Sequence, residues 1–292
     1  MPLVECVPNV SEGRRFDVID ALATALAVPG VELLDRSSDV SHNRTVYTFI
    51  GEPRPVREAV LRLFESAIAR INLRHHAGVH PRIGAVDVVP FVPLTGATMA
   101  ECVDLARRTA ELVSQRFNLP VFLYEEAATT PGRRHLADLR RGSLEGLERR
   151  MQRQEMLPDF GSPTPHPTAG VTAIGARPVL IAYNVNLDSD RLDVARRIAA
   201  VVRASGGGFA HVKAMGVRLE HRGIVQVSMN LTDYRQTSMA TVFDGIAREA
   251  AIDGVRVLDS EIVGLVPADA LPPDPVVRLK LPEADARKIL RF

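Results

Sequence analysis

Arg222–Leu231 reads RGIVQVSMNL. Val225, Val227, Met229 and Leu231 fall on one side of that stretch, and Ile224, Gln226, Ser228 and Asn230 on the other. Side chains alternate across a β-strand, so the pattern predicts a strand with one apolar face and one face of amides and hydroxyls. VLIAYNVN at residues 179–186 places Asn184 and Asn186 on the side of Leu180 and Ala182. Polar side chains on a sheet face are either in water or lining a site.

The order of elements around these strands sets the architecture. Residues 179–187 read as a strand and 191–204 as a helix, with Leu192, Ala195, Ile198 and Val202 on one side. Residues 205–208 break the helix. Strands at 211–219 and 223–231, a helix at 239–251 and a strand at 255–263 complete β-α-β-β-α-β. The first half repeats the order: strand 3–8, helix 15–28 stopped by Pro29-Gly30, strands 31–35 and 45–50, helix 55–72 and strand 86–92. A helix at 99–117, a strand at 121–124 and a helical Arg-rich stretch at 133–153 follow. Leu157–Gly170, LPDFGSPTPHPTAG, has four prolines and reads as a linker by composition. The expected fold class is α+β: two ferredoxin-like (split βαβ) subdomains, residues 1–177 and 178–292, each an antiparallel sheet with helices on one face. Stacked sheets would bound a polar groove, a common setting for a ligand pocket.

Composition excludes several function classes. The 292 residues carry a formal net charge of +1, which gives no electrostatic footprint for nucleic acid or an anionic membrane. Lys occurs only at 213, 280 and 288, so nearly all the cationic charge is Arg. Two cysteines, Cys6 and Cys102, make neither a disulfide framework nor a zinc site. No apolar run reaches the ~18 residues of a membrane span, and MPLVECVPNVSEG lacks the features of a signal peptide. A cytoplasmic protein is expected.

Three of eight histidines lie within HHAGVH, residues 75–80. His76 and His80 have the i, i+4 spacing of helical metal ligands. Gly78 between them and Pro81 after His80 disfavour a helix, and no carboxylate or cysteine stands at ligand spacing. No metal is expected, although a hydrolase using His75, His76 and His80 remains an alternative. His75 and His76 read as a solvated helix C-terminus. His80, in an extended turn before a buried strand and flanked by Pro81 and Gly84, suits proton transfer near neutral pH. In SDVSHNRTVYTF, His42, Asn43 and Arg44 form a turn opening a strand, where Arg44 would hold a carboxylate. Glycines frame the loop carrying His166, which lets a ligand approach its backbone. RRHLADLRR reads as a solvated helix face.

Six blocks carry a resemblance: VECVPNVSEGR (4–14), HNRTVYTFIG (42–51), GVHPRIGAVDVVPFVP (78–93), LPVFLYEEAA (119–128), PDFGSPTPHPTAGVTAIGARPVLIAYNVNL (158–187) and RGIVQVSMNLTDY (222–234). In this order they resemble the glutamate formimidoyltransferase (formiminotransferase) family, in animals the first domain of formimidoyltransferase-cyclodeaminase. The resemblance implies transfer of a formimidoyl group between N-formimidoyl-L-glutamate and tetrahydrofolate in histidine breakdown, with tetrahydrofolate as carrier and no metal. It also implies stacked subdomain sheets and a homodimer. It points to His80 as the catalytic residue. It assigns folate binding to Gly161, Ser162, Pro163, Thr164, Pro165, His166, Pro167, Thr168, Ala169 and Gly170. Arg44 and Arg82 are candidates for glutamate carboxylates, and Asn9, Asn184, Gln226 and Asn230 for pterin edges or the formimidoyl nitrogen. A related formylglutamate transferase and a non-catalytic folate-binding protein are the alternatives.

Overall fold

The computed structural model describes residues 1–290 and divides into two compact units, Met1–Arg177 and the chain from Pro178 on.

The second unit is the simpler. Its strands β8 (Ile181–Leu187), β9 (Val212–Leu219), β10 (Ile224–Leu231) and β11 (Val257–Val263) form one antiparallel sheet in the order β11-β8-β10-β9. With helices α6 (Leu192–Val202) and α7 (Met239–Ile252) as crossovers, this is the split-βαβ order that the sequence predicts. Val225, Val227, Met229 and Leu231 are buried with Tyr183, Val185 and the inner faces of α6 and α7. The period-2 alternation therefore sets which face is core.

The first unit has the same core plus an extension. β1 (Val4–Cys6) and β2 (Asn9–Val10) are two pieces of one strand interrupted at Val7-Pro8, and both lie between β4 (Arg44–Gly51) and β5 (Val86–Pro93). β3 (Val31–Asp39) pairs with β4 on the outside. A strand that the sequence reading does not foresee, β7 (Thr172–Ala176), pairs parallel with β5 and with β6 (Val121–Glu125), giving seven strands. TAIGA carries too few large apolar residues to announce itself, yet every one of its residues is buried.

Helices α1 (Phe16–Ala25), α2 (Pro53–Arg70) and α3 (Met99–Phe117) cover one face over Tyr47, Phe49 and Phe91. Thr98 and Glu101 close a reciprocal capping box that fixes where α3 begins. The other face is not bare, as expected, but covered over the extension. α4 (Leu136–Leu139) and α5 (Ser143–Gln152) pack Leu139, Leu147 and Met151 on Val88, Phe122, Tyr124 and Ala173.

Leu157–Gly170 is not a linker. The Asp159 N–H donates to Val121 O, and Asp159 Oδ2 accepts from Leu123 N at 2.7 Å. Its prolines occupy positions where no ladder donor is needed, so composition alone misreads a pinned loop. Among the described residues no helix is long and apolar enough to cross a membrane.

Candidate functional site

The first unit assembles its polar centre from four short segments: the loop after β2, the β3–β4 turn, the turn before β5, and the end of α4. Asn43, at φ +50°, joins three of them. Its Oδ1 accepts from Gly13 N at 2.9 Å and its Nδ2 donates to Ala77 O at 3.1 Å. Asn tolerates the left-handed region better than most residues, which suits it to this corner. A Cβ on Gly78 would run into the His42 carbonyl, so the two turns meet backbone to backbone.

His80 is half-buried in this frame. Its Nδ1 stands 2.7 Å from Pro81 O, and its Nε2 2.9 Å from Arg44 NH1. A carbonyl only accepts and a guanidinium only donates. The proton therefore sits on Nδ1, and the Nε2 lone pair faces Arg44. Burial and the neighbouring Arg44 and Arg140 charges hold the imidazole well below its ordinary pKa of 6.5, with the Pro81 carbonyl opposing them. The His42 ring lies 5.8 Å from the His80 ring, tilted by 56°. His42 N and Nδ1 contact Asp39 Oδ1 at 2.6 and 3.0 Å. Burial opposes ionisation of Asp39, but the bonds from His42 outweigh it and hold the carboxyl at about 2.

Asp87 is the residue the sequence reading overlooks. Asn9 pairs with Val88 and Val10 with Val86, so Asp87 is the extra residue of a bulge in β5. Its Oδ1 accepts from Ile83 N at 2.7 Å, fixing the turn after His80, and its Oδ2 takes an ion pair from Arg140, just past α4. The signal was a lone carboxylate inside the apolar run AVDVVPF. RRHLADLRR is accordingly not a solvated face at every position. Arg140 and Arg133 are each 13% exposed, and Arg133 pairs with Asp159 at 2.5 Å.

Arg44 is half-buried and forms no ion pair among the described residues. Burial first, then Arg140, lowers its pKa to about 10. Arg82 is committed elsewhere: both terminal nitrogens donate to Glu145, at 3.1 to 3.3 Å. His76 is not on a solvated helix end. α2 stops at Arg70, a single 3-10 turn follows, and His76 Nε2 lies 2.9 Å from Asn43 O.

The glycine-framed loop lies against the same turn. Ala85 N donates to Ala169 O, Val171 N to Ile83 O, and Leu73 N to Thr168 O. Arg74 Nε donates to Pro167 O at 3.0 Å. Gly161 and Gly170 have φ of +89° and +71°, and a Cβ on Gly170 would meet the Ile83 carbonyl. His166 Nδ1 accepts from Ala169 N at 3.1 Å, which holds the loop's own curve. Gly161–Thr164 and Pro167 are exposed.

The remaining candidates fall apart into two groups. Asn9 donates to Val7 O at 3.1 Å and makes no bond to the His80 centre. Asn184 and Gln226 lie on the polar face of the second unit. There the carboxylate of Glu261, on β11, accepts from Asn184 Nδ2 at 2.9 Å and from Gln226 Nε2 at 2.8 Å. Asn186 bonds Asp259, which pairs with Arg222. Asn230 is exposed. Glu261 went unnoticed because β11 reads VLDSEIV, where alternation is weak.

Residues 3–177 match the formiminotransferase N-terminal subdomain, and residues 182–273 match the formiminotransferase domain. The chain belongs to the formiminotransferase family. It is 48% identical to glutamate formimidoyltransferase of Streptococcus pyogenes serotype M1, over 92% of this chain and 90% of that one. It is 43% identical to glutamate formimidoyltransferase of Thermoplasma acidophilum, over 93% and 90%. Against formimidoyltransferase-cyclodeaminase of Sus scrofa it is 45% identical over 92% of its own length but only 51% of that protein's, so it spans about half of such relatives. A solved microcompartment protein from Desulfitobacterium hafniense DCB aligns over 95% of this chain at a TM-score of 0.23 and 14% identity, which carries no argument.

Proposed function

We propose that this member of the formiminotransferase family is a glutamate formimidoyltransferase. It moves the formimidoyl group between N-formimidoyl-L-glutamate and tetrahydrofolate, with His80 as general acid/base. The observation that carries the reading is the 2.9 Å pairing of Arg44 with the unprotonated nitrogen of a tautomerically fixed His80, next to a glycine-framed loop open to solvent.

The chemistry needs a shuttled proton. N5 of tetrahydrofolate attacks the amidine carbon, a C–N bond forms, and the N5 proton passes to His80 Nε2. His80 returns that proton to the glutamate nitrogen, the second C–N bond breaks, and the amine departs. Proton count and charge balance over the cycle. The Pro81 carbonyl on Nδ1 steadies the transient imidazolium. Arg44 takes a glutamate carboxylate, a match in which a planar guanidinium outdoes an ammonium. Arg82 would do so only after leaving Glu145.

The loop Gly161–Gly170 would receive the folate, its backbone accessible where glycine replaces a side chain. On the second unit, Glu261 with Asn184, Gln226 and Asn230 suits a donor-rich ligand edge such as an aminopyrimidine. Tetrahydrofolate acts here as a carrier substrate, and the reading includes no metal, nucleic acid or membrane partner, a cytoplasmic location and a homodimer.

The test is turnover of N-formimidoyl-L-glutamate with tetrahydrofolate, followed at the pterin chromophore. His80→Ala is expected to lower kcat by ~10²–10⁴-fold while tetrahydrofolate still binds. Wild-type turnover by the variant would remove His80 from the mechanism. N-formyl-L-glutamate as donor, in the same assay, distinguishes the formyl transferase.

A further inference from the structure

His80 meets its neighbours in a way that leaves it unable to act as it stands. A neutral imidazole has one basic lone pair, and here that pair points at the Arg44 guanidinium. While Arg44 donates to Nε2, no substrate proton can be taken there.

The charges facing His80 explain why Arg44 occupies that position. From the β3–β4 turn, His42 is paired with Asp39. From β5, Asp87 is satisfied by Ile83 N and by Arg140. From the turn itself, Arg82 is paired with Glu145 on α5. Arg44, the guanidinium in direct contact with His80, has no ion-pair partner among the described residues, although Asp87 and Asp39 lie near enough to favour its charge. A partly buried guanidinium without a carboxylate takes the best neutral acceptor within reach, which is Nε2.

We propose that Arg44 is a substrate-operated latch on the base. A carboxylate of the incoming amino-acid substrate draws the guanidinium off Nε2 and so releases the lone pair only when substrate is present. This rests on the reading of His80 as acid/base for a carboxylate-bearing substrate. Two consequences follow together. Nε2 becomes free to accept a proton, and the Arg44 charge that disfavours the imidazolium is neutralised by the carboxylate. His80 thus becomes a stronger base on binding, and an amine lacking the carboxylate leaves the latch shut.

The experiment is a two-dimensional NMR titration of imidazole-labelled whole protein, with and without saturating L-glutamate, calorimetry reporting whether glutamate binds. In the wild-type protein the His80 titration midpoint should rise by about 1 unit or more on adding glutamate. n-Butylamine at the same concentration should leave it unmoved. In Arg44→Met the midpoint should stand above that of the glutamate-free wild-type protein, and glutamate should no longer move it. An unchanged wild-type midpoint despite bound glutamate overturns the latch and leaves the transferase reading standing. Failure of glutamate to bind at all takes both away. The wild-type arm needs no variant, so misfolding of Arg44→Met cannot rescue the proposal.

Discussion

Glu5→Gln should stabilise the first unit at alkaline pH and do nothing at acid pH. Glu5 is 4% exposed on β1, its neighbours Val4 and Cys6 turned into the core. Burial pushes its carboxyl from 4.5 up to about 7, against a smaller opposing pull from Arg177. A raised carboxyl means that the folded chain holds a proton which the unfolded chain has lost. Stability therefore falls as pH rises from 4.5 to about 7. At roughly 1.4 kcal/mol per unit, that gap comes to about 3 kcal/mol, fully developed above pH 7 and absent below the unfolded value. Glutamine has the shape of the protonated acid and no charge to desolvate. Calorimetric unfolding is the assay. For a unit of 177 residues, about 3 kcal/mol corresponds to a melting-temperature gain of about 6–12 °C at pH 8.5, shrinking towards zero near pH 4.5. A difference between variant and wild type that is the same at both pH values would refute the reasoning, because only a titrating group makes it pH-dependent.

Two further substitutions probe the new residues. Asp87→Asn strips the charge from a buried pair and leaves Arg140 uncompensated. A loss of about 3–5 kcal/mol in urea unfolding is expected, and a loss under 1 kcal/mol would show that the Arg140 pair contributes little. Asn184 and Gln226 both donate to one oxygen of Glu261, so Glu261→Gln keeps that acceptor and removes the charge of the carboxylate. The expected result is a KM for tetrahydrofolate raised about tenfold with kcat little changed, and an unaltered KM would confine Glu261 to holding the sheet face.

The second unit was legible because its strands are exposed to the core on one face only. Val225, Val227, Met229 and Leu231 alternate with polar residues, and that period fixes both strand and register. The first unit was legible where α2 and α3 present apolar stripes, and illegible where burial is two-sided. β7 is covered on both faces, so it has no alternation to read. The site divides in the same way. His80, the proposed acid/base, stood out in the sequence by its Pro and Gly neighbours, which act locally. Asp87 and Arg140 are 53 residues apart and meet only through the bulge in β5 and the placement of α4. Arg44 and Arg82 look alike as isolated arginines, and only tertiary structure separates the committed guanidinium from the available one.

Two guanidiniums beside an imidazole proposed as the acid/base look counterproductive, since both lower its basicity. The proposed reaction resolves the difficulty. Once the amidine carbon has been attacked, the adduct's pterin nitrogen carries positive charge and gives up its proton readily, so a weak base suffices. The leaving group is an aliphatic amine, which departs only when protonated, and there a strong acid is wanted. A buried imidazolium that still faces Arg140 is a strong acid for the same reason that the imidazole is a weak base. The asymmetry between the two nitrogens therefore favours a depressed His80 over an unperturbed one, provided the substrate carboxylate restores enough basicity for the first transfer.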